Sequence, residues 1–374
     1  MNQVSRSSFA PVARGDLTRR RFVETLGIAA TAAVASPALR GQSPTEKPLA
    51  LGMDTHSLRA MGWKAPRFVE YAAQQKLDAV LFNTLKQFES LESASLRKLK
   101  ETAERQGIRF YIGVGSVAQH GTLFSSEFGS PEELLALGVR VAADLGSPVI
   151  TCRIGGLPDR NTPGGIEARI DEVVKVIKAV RSRAVDAGIK IAVEDHAGDM
   201  RSEELLGLIQ AAGTDVTGVM LDPGNAVWAM EDPMRQLDLL GPHVVCSSVR
   251  DWMVWETPDG ATFQWTPIGE GLMDLPRFVS QMMKLCPAVP FNLEIIANSP
   301  RPIPFLKPEH MAMYPRLRAA DLMPFLALCR RGHALKVETA PAGMTAREFD
   351  QQQQRADLER SIAAMRRQGV GRNG

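Results

Sequence analysis

The chain has 374 residues, of which 44% are hydrophobic, 23% charged and 6% aromatic, and its formal net charge is +2. This length and composition fit one large globular domain of the α/β barrel type, or two smaller domains. Six arginines and two acidic residues in the first 40 positions leave 38 basic and 40 acidic residues in positions 41–374, a net charge of −2. This near-neutral body argues against nucleic-acid binding through bulk positive charge.

The N-terminal stretch has the features of a bacterial export signal. Residues 18–23, TRRRFV, resemble the twin-arginine pattern of a Ser or Thr, two arginines, any residue and then Phe. A short apolar segment, 26–34, follows, and the small residues around Ala35 offer a cleavage site. The alternative is a basic, disordered N-terminus. The export interpretation predicts the twin-arginine export machinery as a partner and a periplasmic or otherwise exported location.

The body of the chain alternates short apolar runs with longer amphipathic ones. Strands are predicted at 49–54, 77–82, 108–114, 148–154, 189–194, 217–222, 243–249 and 291–296, and helices at 66–76, 93–106, 131–145, 166–187, 202–212, 275–285 and 308–331. Eight strands alternating with helices predict an α/β fold of the (β/α)8 TIM barrel type. A doubly wound open sheet is the alternative, but no Gly-rich phosphate-binding fingerprint follows the first strand.

Two segments interrupt this alternation. Residues 251–271 contain three tryptophans and an Asp-Gly turn, which predict a β-hairpin after the seventh strand. The C-terminal segment is Gln-rich at 351–354 and basic at its end, which fits a peripheral helix, an oligomer arm or disorder. We therefore divide the chain into a signal peptide and linker (1–40), a barrel (41–333) and a C-terminal extension (334–374), and leave a homo-oligomer open. The four cysteines show no CxxC spacing, which favours buried free thiols.

Acidic residues recur where predicted strands end. Glu194 ends the fifth strand, Asp222 ends the sixth, and Glu294 lies in the eighth. Because barrel enzymes place their chemistry at the C-terminal ends of strands, these carboxylates are expected to converge at one mouth. Converging carboxylates repel one another unless a cation or protons neutralise them. Oxygen ligands favour Mg or Mn, and one or two imidazoles shift the preference towards Mn, Co or Zn, so we predict a site for one divalent metal ion.

In the order and spacing of these motifs, residues 49–333 resemble the sugar phosphate isomerase/epimerase superfamily, the xylose-isomerase-like barrels. The resemblance implies a single divalent ion held by a Glu after strand five, an Asp after strand six, a His after strand seven and a Glu after strand eight. Glu194, Asp222 and Glu294 match three of these four positions. They are therefore the implied metal ligands.

The strand-seven motif departs from the family pattern. The family has a His, an apolar residue, a Lys or Arg and an Asp there, whereas residues 248–251 read SVRD. Ser248 thus stands in the place of the metal histidine. His196, a water molecule or another nearby side chain would have to complete the coordination of the ion.

Five further residues are candidates for substrate binding. Asn225 lies three residues after the strand-six Asp, where the family often has a polar residue, and Arg250 is placed to hold an oxyanion or a carboxylate. Trp265 and the other hairpin tryptophans could stack on the apolar face of a sugar or simply anchor the hairpin. His196 and His56 follow strands five and one, and each is either a substrate or metal group or an ordinary loop histidine.

The chemistry implied by the resemblance is proton transfer next to a carbonyl, with Glu194 and Glu294 as the catalytic carboxylates and Asp222 as a ligand alone. We predict a sugar isomerase or epimerase acting on a small, non-phosphorylated sugar or keto-sugar, because an exported protein would not meet phosphorylated intracellular metabolites. The alternatives are a lyase or dehydratase on the same scaffold and a metal-free barrel that only binds carbohydrate. A three-zinc endonuclease is disfavoured because the six histidines are scattered.

Overall fold

Eight parallel strands form the central sheet of the structure, a computed structural model that describes residues 49–372. The predicted export signal and cleavage site lie outside the described residues, so export and location stay predictions. The described residues contain eleven strands, of which β8, β9 and β11 lie outside the central sheet. In chain order they are β1 Leu51–Asp54, β2 Ala79–Phe82, β3 Arg109–Ser116, β4 Val149–Arg153, β5 Lys190–Glu194, β6 Thr217–Leu221, β7 Val244–Ser247, β8 Asp251–Thr257, β9 Gly260–Thr266, β10 Phe291–Leu293 and β11 Arg301–Ile303.

The central sheet runs in the order β10-β1-β2-β3-β4-β5-β6-β7, and all its strands are parallel. It closes beyond β7, where Val249 forms a parallel bridge with Leu293. The amide of Val249 donates to the carbonyl of Asn292 (2.7 Å), and the amide of Glu294 donates to the carbonyl of Val249 (3.1 Å). These bonds join the chain just after β7 to the end of β10, the two edge strands of the sheet. The predicted (β/α)8 barrel is confirmed.

Helices flank the barrel, and local signals set several of their ends. They are α1 Ala65–Gln74, α2 Ser93–Arg105, α3 Pro131–Leu145, α4 Gly165–Asp186, α5 Ser202–Ala212, α6 Pro223–Trp228, α7 Pro233–Leu240, α8 Leu275–Leu285, α9 Pro308–Met311, α10 Ala319–Cys329 and α11 Ala346–Arg367. Helix α3 starts with a capping box between Ser130 and Glu133 and ends at Gly146 in the left-handed conformation. Within residues 49–372 no helix is both long and apolar enough to cross a membrane.

The prediction of one continuous helix at 308–331 is wrong. The segment splits into α9 and α10, with residues 312–318 between them. Pro315 lies in this break, where its missing N–H and its restriction on Tyr314 disfavour a continuous helix. The hydroxyl of Tyr314 donates to the carbonyl of Gly198 (3.2 Å), which ties the break to the loop after β5.

The barrel interior is apolar in its middle and charged near the C-terminal ends of the strands. Seven inward-facing residues form a buried cluster inside the barrel: Ala79, Leu81, Tyr111, Val149, Ala192, Met220 and Cys246. Side chains two positions further along a strand point in the same direction. By this alternation Arg153, Glu194 and Asp222 lie inside the barrel, one or two layers above the apolar cluster. The remaining apolar faces of the strands pack against the helices in a second, larger core. All four cysteines are buried free thiols, as predicted.

The predicted hairpin is confirmed as β8 and β9, and β11 pairs antiparallel with β9 to make a three-stranded sheet. Gly260 begins β9 with φ of 145°, and a Cβ there would lie 2.5 Å from the carbonyl oxygen of Ile303. We expect Gly260→Ala to lower the free energy of unfolding by about 2 kcal/mol or more, because both the backbone and the contact are strained. Urea unfolding measures this loss.

The control for Gly260→Ala is Gly207→Ala in α5. A Cβ at Gly207 meets no atom within 4 Å. Alanine is the better helix former, so this variant should be more stable by about 0.5–1 kcal/mol. Equal stability of the two variants would contradict the assigned role of Gly260.

The C-terminal segment contains a 22-residue helix, α11, that packs on the barrel. The amide of Ala60 donates to Gln354 Oε1 (2.9 Å), and Gln351 donates back to the Ala60 carbonyl (3.0 Å). Further along, the amide of Ile268 donates to Ser361 Oγ (3.0 Å). The Gln-rich stretch therefore fastens the helix to the turn after β1. The domain division at 333/334 stays a prediction.

Candidate metal site and active site

Three carboxylates meet at the C-terminal mouth of the barrel. Glu194 ends β5, Asp222 follows β6, and Glu294 follows β10. One oxygen from each lies within 4.8 Å of the others, and the three residues are only 4%, 0% and 6% exposed. The sequence separates these groups by up to 100 positions, and the parallel register of neighbouring strands brings them together.

Asp222 has two distinct functions in the structure, one for each oxygen. Its Oδ1 accepts from the amides of Gly224 (2.9 Å) and Asn225 (3.2 Å) and so caps helix α6. Its Oδ2 faces the other carboxylates. The side-chain nitrogen of Asn225, Nδ2, donates to this oxygen (2.8 Å) and to Glu194 Oε1 (3.1 Å). Asn225, predicted to bind substrate, is thus buried and holds two of the three carboxylates in place.

Arg250 lies among the carboxylates and is buried. Its Nη2 donates to Glu294 Oε2 (2.5 Å) and forms an ion pair with Asp222 Oδ2 (2.7 Å). Ser248, which stands where the family has histidine, donates its hydroxyl to the same Glu294 oxygen (2.6 Å). Arg250 was predicted to hold an anionic group of the substrate. In the structure, both of these contacts of its Nη2 go to carboxylates of the protein itself. A metal ion and this guanidinium would compete for the same oxygens.

The charges of the interior layer fit a divalent cation. Asp54 at the end of β1 is also buried, and Arg153 at the end of β4 approaches Glu194 at 3.9 Å. Four carboxylates and two guanidiniums, if all are ionised, leave a net charge of −2. Three clustered carboxylates form an oxygen-rich donor set that suits hard divalent ions. The residues present therefore fit a metal ion, which Glu194, Asp222 and Glu294 would hold.

Burial and the neighbouring arginines set the pKa values of the carboxylates apart. Burial raises the pKa of Glu194 well above its usual range, and the nearby Asp222 and Glu294 charges add to this rise while Arg153 opposes it. Burial also raises the pKa of Asp222, to about 7, although Arg250 opposes it. For Glu294 the guanidinium of Arg250, with His56 and the Ser248 hydroxyl, outweighs burial and lowers the pKa to about 2. Before an ion binds, Glu294 is therefore ionised at neutral pH, whereas burial favours the protonated form of Glu194.

Both candidate histidines lie at the mouth and are neutral. Burial lowers the pKa of His56 to about 4 and that of His196 to about 3. His196 Nδ1 contacts the carbonyl of Gly155, so this nitrogen carries the proton and Nε2 keeps its lone pair. The amide of His196 donates to Asp199 Oδ1 (2.7 Å), which fixes the loop after β5. A neutral imidazole can accept a hydrogen bond or bind a metal ion.

Trp265 is 2% exposed, so its ring offers little surface to a sugar. Its Nε1 donates to the Gly224 carbonyl (3.2 Å), and the guanidinium carbon of Arg250 lies 4.2 Å from its ring centroid. The guanidinium of Arg301 lies 4.3 Å from the same ring. Trp228, partly exposed, packs against Trp265 with ring centroids 5.7 Å apart. Trp265 therefore positions the two arginines.

Several charged residues of the mouth escaped the sequence reasoning. Asp54 ends the first predicted strand and Arg153 is the next-to-last residue of the fourth, so attention to charged residues near strand ends, the rule that picked out Glu194, would have found both. Arg301 carries no comparable signal, because it reaches the mouth through pairing of β11 with β9. Only the tertiary structure places it there.

Residues 68–313 match the model of the xylose isomerase-like TIM barrel family. The chain belongs to this family. The match covers more than half of the sequence and includes all three clustered carboxylates.

Two proteins of similar sequence extend this result. The uncharacterised protein YihM of Escherichia coli strain K12 is 22% identical over 222 residues, covering 56% of this chain and 68% of its own. The 3-oxo-isoapionate decarboxylase of Pectobacterium atrosepticum is 23% identical over 189 residues, covering 50% of this chain and 61% of the decarboxylase. This chain therefore spans about three-fifths of the length of that enzyme.

Solved structures share the fold at lower identity. A D-psicose 3-epimerase, determined in the presence of D-fructose, has a TM-score of 0.55 and 14% identity, covering 86% of this chain and all of the epimerase. The IolI protein with a bound zinc atom has a TM-score of 0.51 and 15% identity, covering 75% of this chain and 96% of its own. At these identities the likeness shows the fold alone.

Proposed function

We propose that this chain is a metal-dependent sugar isomerase or epimerase that transfers a proton next to the carbonyl of a small, non-phosphorylated keto-sugar. One observation carries the proposal. Glu194 and Glu294 face the same barrel mouth in environments that move their pKa values in opposite directions, and with Asp222 they form a cluster that fits a divalent ion. Environments that push the pKa values of two carboxylates apart are typical of acid–base pairs.

The residues of the mouth divide the work of this reaction. A divalent ion held by the three carboxylates would polarise the substrate carbonyl and so acidify the adjacent C–H. Glu294, kept ionised by Arg250, removes a proton from one face of the substrate. Glu194 returns a proton to the opposite face or to the neighbouring carbon. Asn225 keeps Glu194 and Asp222 at a constant separation through its two donated hydrogen bonds.

We also propose that the protein acts outside the cytoplasm after twin-arginine export, because residues 18–23 carry the export pattern. This location would give it free sugars as substrates. Western blotting of periplasmic and cytoplasmic fractions tests the proposal, with Arg19→Lys/Arg20→Lys as the export-deficient variant. Equal distribution of both forms would contradict it.

Solvent exchange tests the reaction directly. The protein, loaded in turn with Mn, Co, Zn or Mg, is incubated in deuterated water with D-fructose, D-psicose or D-tagatose, and proton NMR follows the C–H signals next to the carbonyl. We expect these signals to disappear in the presence of one or more metals and to persist after chelation. Persistence with every metal and sugar, without any new sugar product, would contradict proton transfer on these ketoses and favour the carbohydrate-binding barrel.

A lyase is the second candidate, favoured by the similarity to a decarboxylase. In a 3-oxo acid the carboxylate is attached to the carbon next to the carbonyl, so loss of CO2 leaves the same kind of carbanion on that carbon as loss of a proton. Glu194, whose pKa burial raises, would then donate a proton to that carbanion. Release of CO2 from a 3-oxo sugar acid, without accumulation of an epimer, would distinguish this reaction from epimerisation.

A further inference from the structure

Two arginines at the mouth have no carboxylate partner among residues 49–372. Arg301, the first residue of β11, donates through Nη1 to the carbonyl of Ser299 (2.8 Å). Arg59, in the 3-10 turn after β1, donates through Nη1 to the carbonyl of His56 (3.3 Å) and is otherwise exposed. Within the described chain, neither guanidinium lies within 4.0 Å of an acidic side chain, whereas Arg250 contacts two.

Arg301 is held rigidly against aromatic rings. Its guanidinium carbon lies 4.3 Å from the Trp265 ring centroid and 5.1 Å from that of Trp228. Trp265 is itself fixed by its bond to the Gly224 carbonyl. Stacking uses the flat face of a guanidinium and leaves its N–H edge available for hydrogen bonds. The side chain is thus oriented before any ligand arrives, which reduces the entropy lost on binding.

The positive charges of Arg59 and Arg301 are not needed to neutralise the carboxylates of the mouth. A divalent ion would bring the interior layer, with its four carboxylates and two guanidiniums, to neutrality. Burial lowers the pKa of Arg301 to about 10, and repulsion from Arg250 and Arg59 adds to this effect. Burial also lowers the pKa of Arg59, and the charges of Glu294 and Asp350 only partly oppose this effect. An anionic group bound beside these arginines would relieve the repulsion.

We propose that Arg301, with Arg59, binds a carboxylate group of the substrate, so that the substrate is a keto-sugar acid. The inference rests on the proposed function and specifies its substrate class. A planar guanidinium fork matches a carboxylate with two parallel hydrogen bonds. The same fork also binds phosphate, but the proposed export of the protein favours the carboxylate. A relative whose name gives an acid anion as its substrate agrees with this choice.

Calorimetric binding of three probes tests the inference. The probes are 5-keto-D-gluconate, D-fructose and D-fructose 6-phosphate, which carry a carboxylate, no charge and a phosphate on comparable carbon chains. We expect the wild-type protein to bind the keto-acid about tenfold or more tightly than D-fructose, as a charge-assisted hydrogen-bonded pair would give. Arg301→Gln should reduce this ratio towards one, and Arg301→Lys should restore part of it. Arg59→Gln should reduce it less.

The matched control is Arg109→Gln, since Arg109 is exposed at the start of β3, at the opposite end of the barrel. This variant should keep the wild-type ratio. Equal binding of keto-acid and D-fructose by the wild type, or an unchanged ratio in folded Arg301→Gln and Arg59→Gln, would overturn the inference. Tighter binding of the phosphate than of the keto-acid would also overturn it. These measurements need no turnover. Binding can therefore contradict the carboxylate site while solvent exchange supports the proposed reaction, and solvent exchange can contradict the reaction while binding supports the site.

Discussion

Glu294→Gln is expected to slow solvent exchange of the sugar C–H by about 10³-fold or more, since removal of a positioned general base costs roughly 10²–10⁴-fold. Glutamine has the size of glutamate but cannot accept the proton. It also removes one of the three carboxylates that fit the ion. Exchange rates from proton NMR under saturating metal separate the loss of the base from weaker metal binding.

Glu309→Gln serves as the control for Glu294→Gln, because Glu309 is exposed on α9 and lies outside the mouth. It should exchange at the wild-type rate. Glu194→Gln should be slow in exchange as well, since it removes the second proton carrier. An exchange rate in Glu294→Gln within about tenfold of wild type would contradict its assignment as the base.

Arg250→Met is expected to destabilise the metal-free protein by about 3–5 kcal/mol, the usual cost of removing one partner of a buried ion pair. Its Nη2 contacts both Asp222 and Glu294, and the loss would leave two buried carboxylates without a cation. A divalent ion should offset most of this loss, because it uses the same oxygens. Thermal unfolding with chelator and with excess Mn or Zn therefore should show a larger metal-induced rise in Tm for the variant than for wild type.

Arg160→Met is the matched control for Arg250→Met. Arg160 is also buried, and it pairs with Glu204 and donates to the carbonyl of Met313 (3.0 Å), away from the three carboxylates. Its removal should destabilise the protein, but metal should shift its Tm no more than it shifts that of wild type. If metal rescued both variants equally, or neither, competition between Arg250 and an ion would be contradicted.

The two arginine variants also bear on the missing strand-seven histidine. Ser248 donates to the same Glu294 oxygen that accepts from Arg250, so both residues hold the Glu294 carboxylate in place. A serine there leaves room for the guanidinium, whereas the family's histidine would supply a metal ligand. This chain thus has the three carboxylates and the cationic residue of the family pattern, but a serine in the place of the histidine. The strength of metal binding depends on how readily Arg250 leaves Asp222 and Glu294.

Local patterns in the sequence determined the barrel and its carboxylates. Strand alternation and helical periodicity depend on neighbouring residues, so the runs before Glu194, Asp222 and Glu294 could be recognised without knowledge of their contacts. Parallel strands then require their C-terminal ends to meet at one mouth. The same reasoning failed at 308–331, where apolar periodicity masked the break at Pro315.

Only the tertiary structure decided which charges oppose one another. Arg250 was expected to face the substrate, yet its guanidinium lies between two carboxylates that are 28 and 44 residues away in the chain. Arg301 reaches the mouth through strand pairing, and stacking on Trp265 orients it. Such contacts arise from long-range packing and from burial, which changes the pKa values of the groups it encloses. The sequence by itself determined where the carboxylates are, and the packing decided in which direction burial and the arginines move their pKa values.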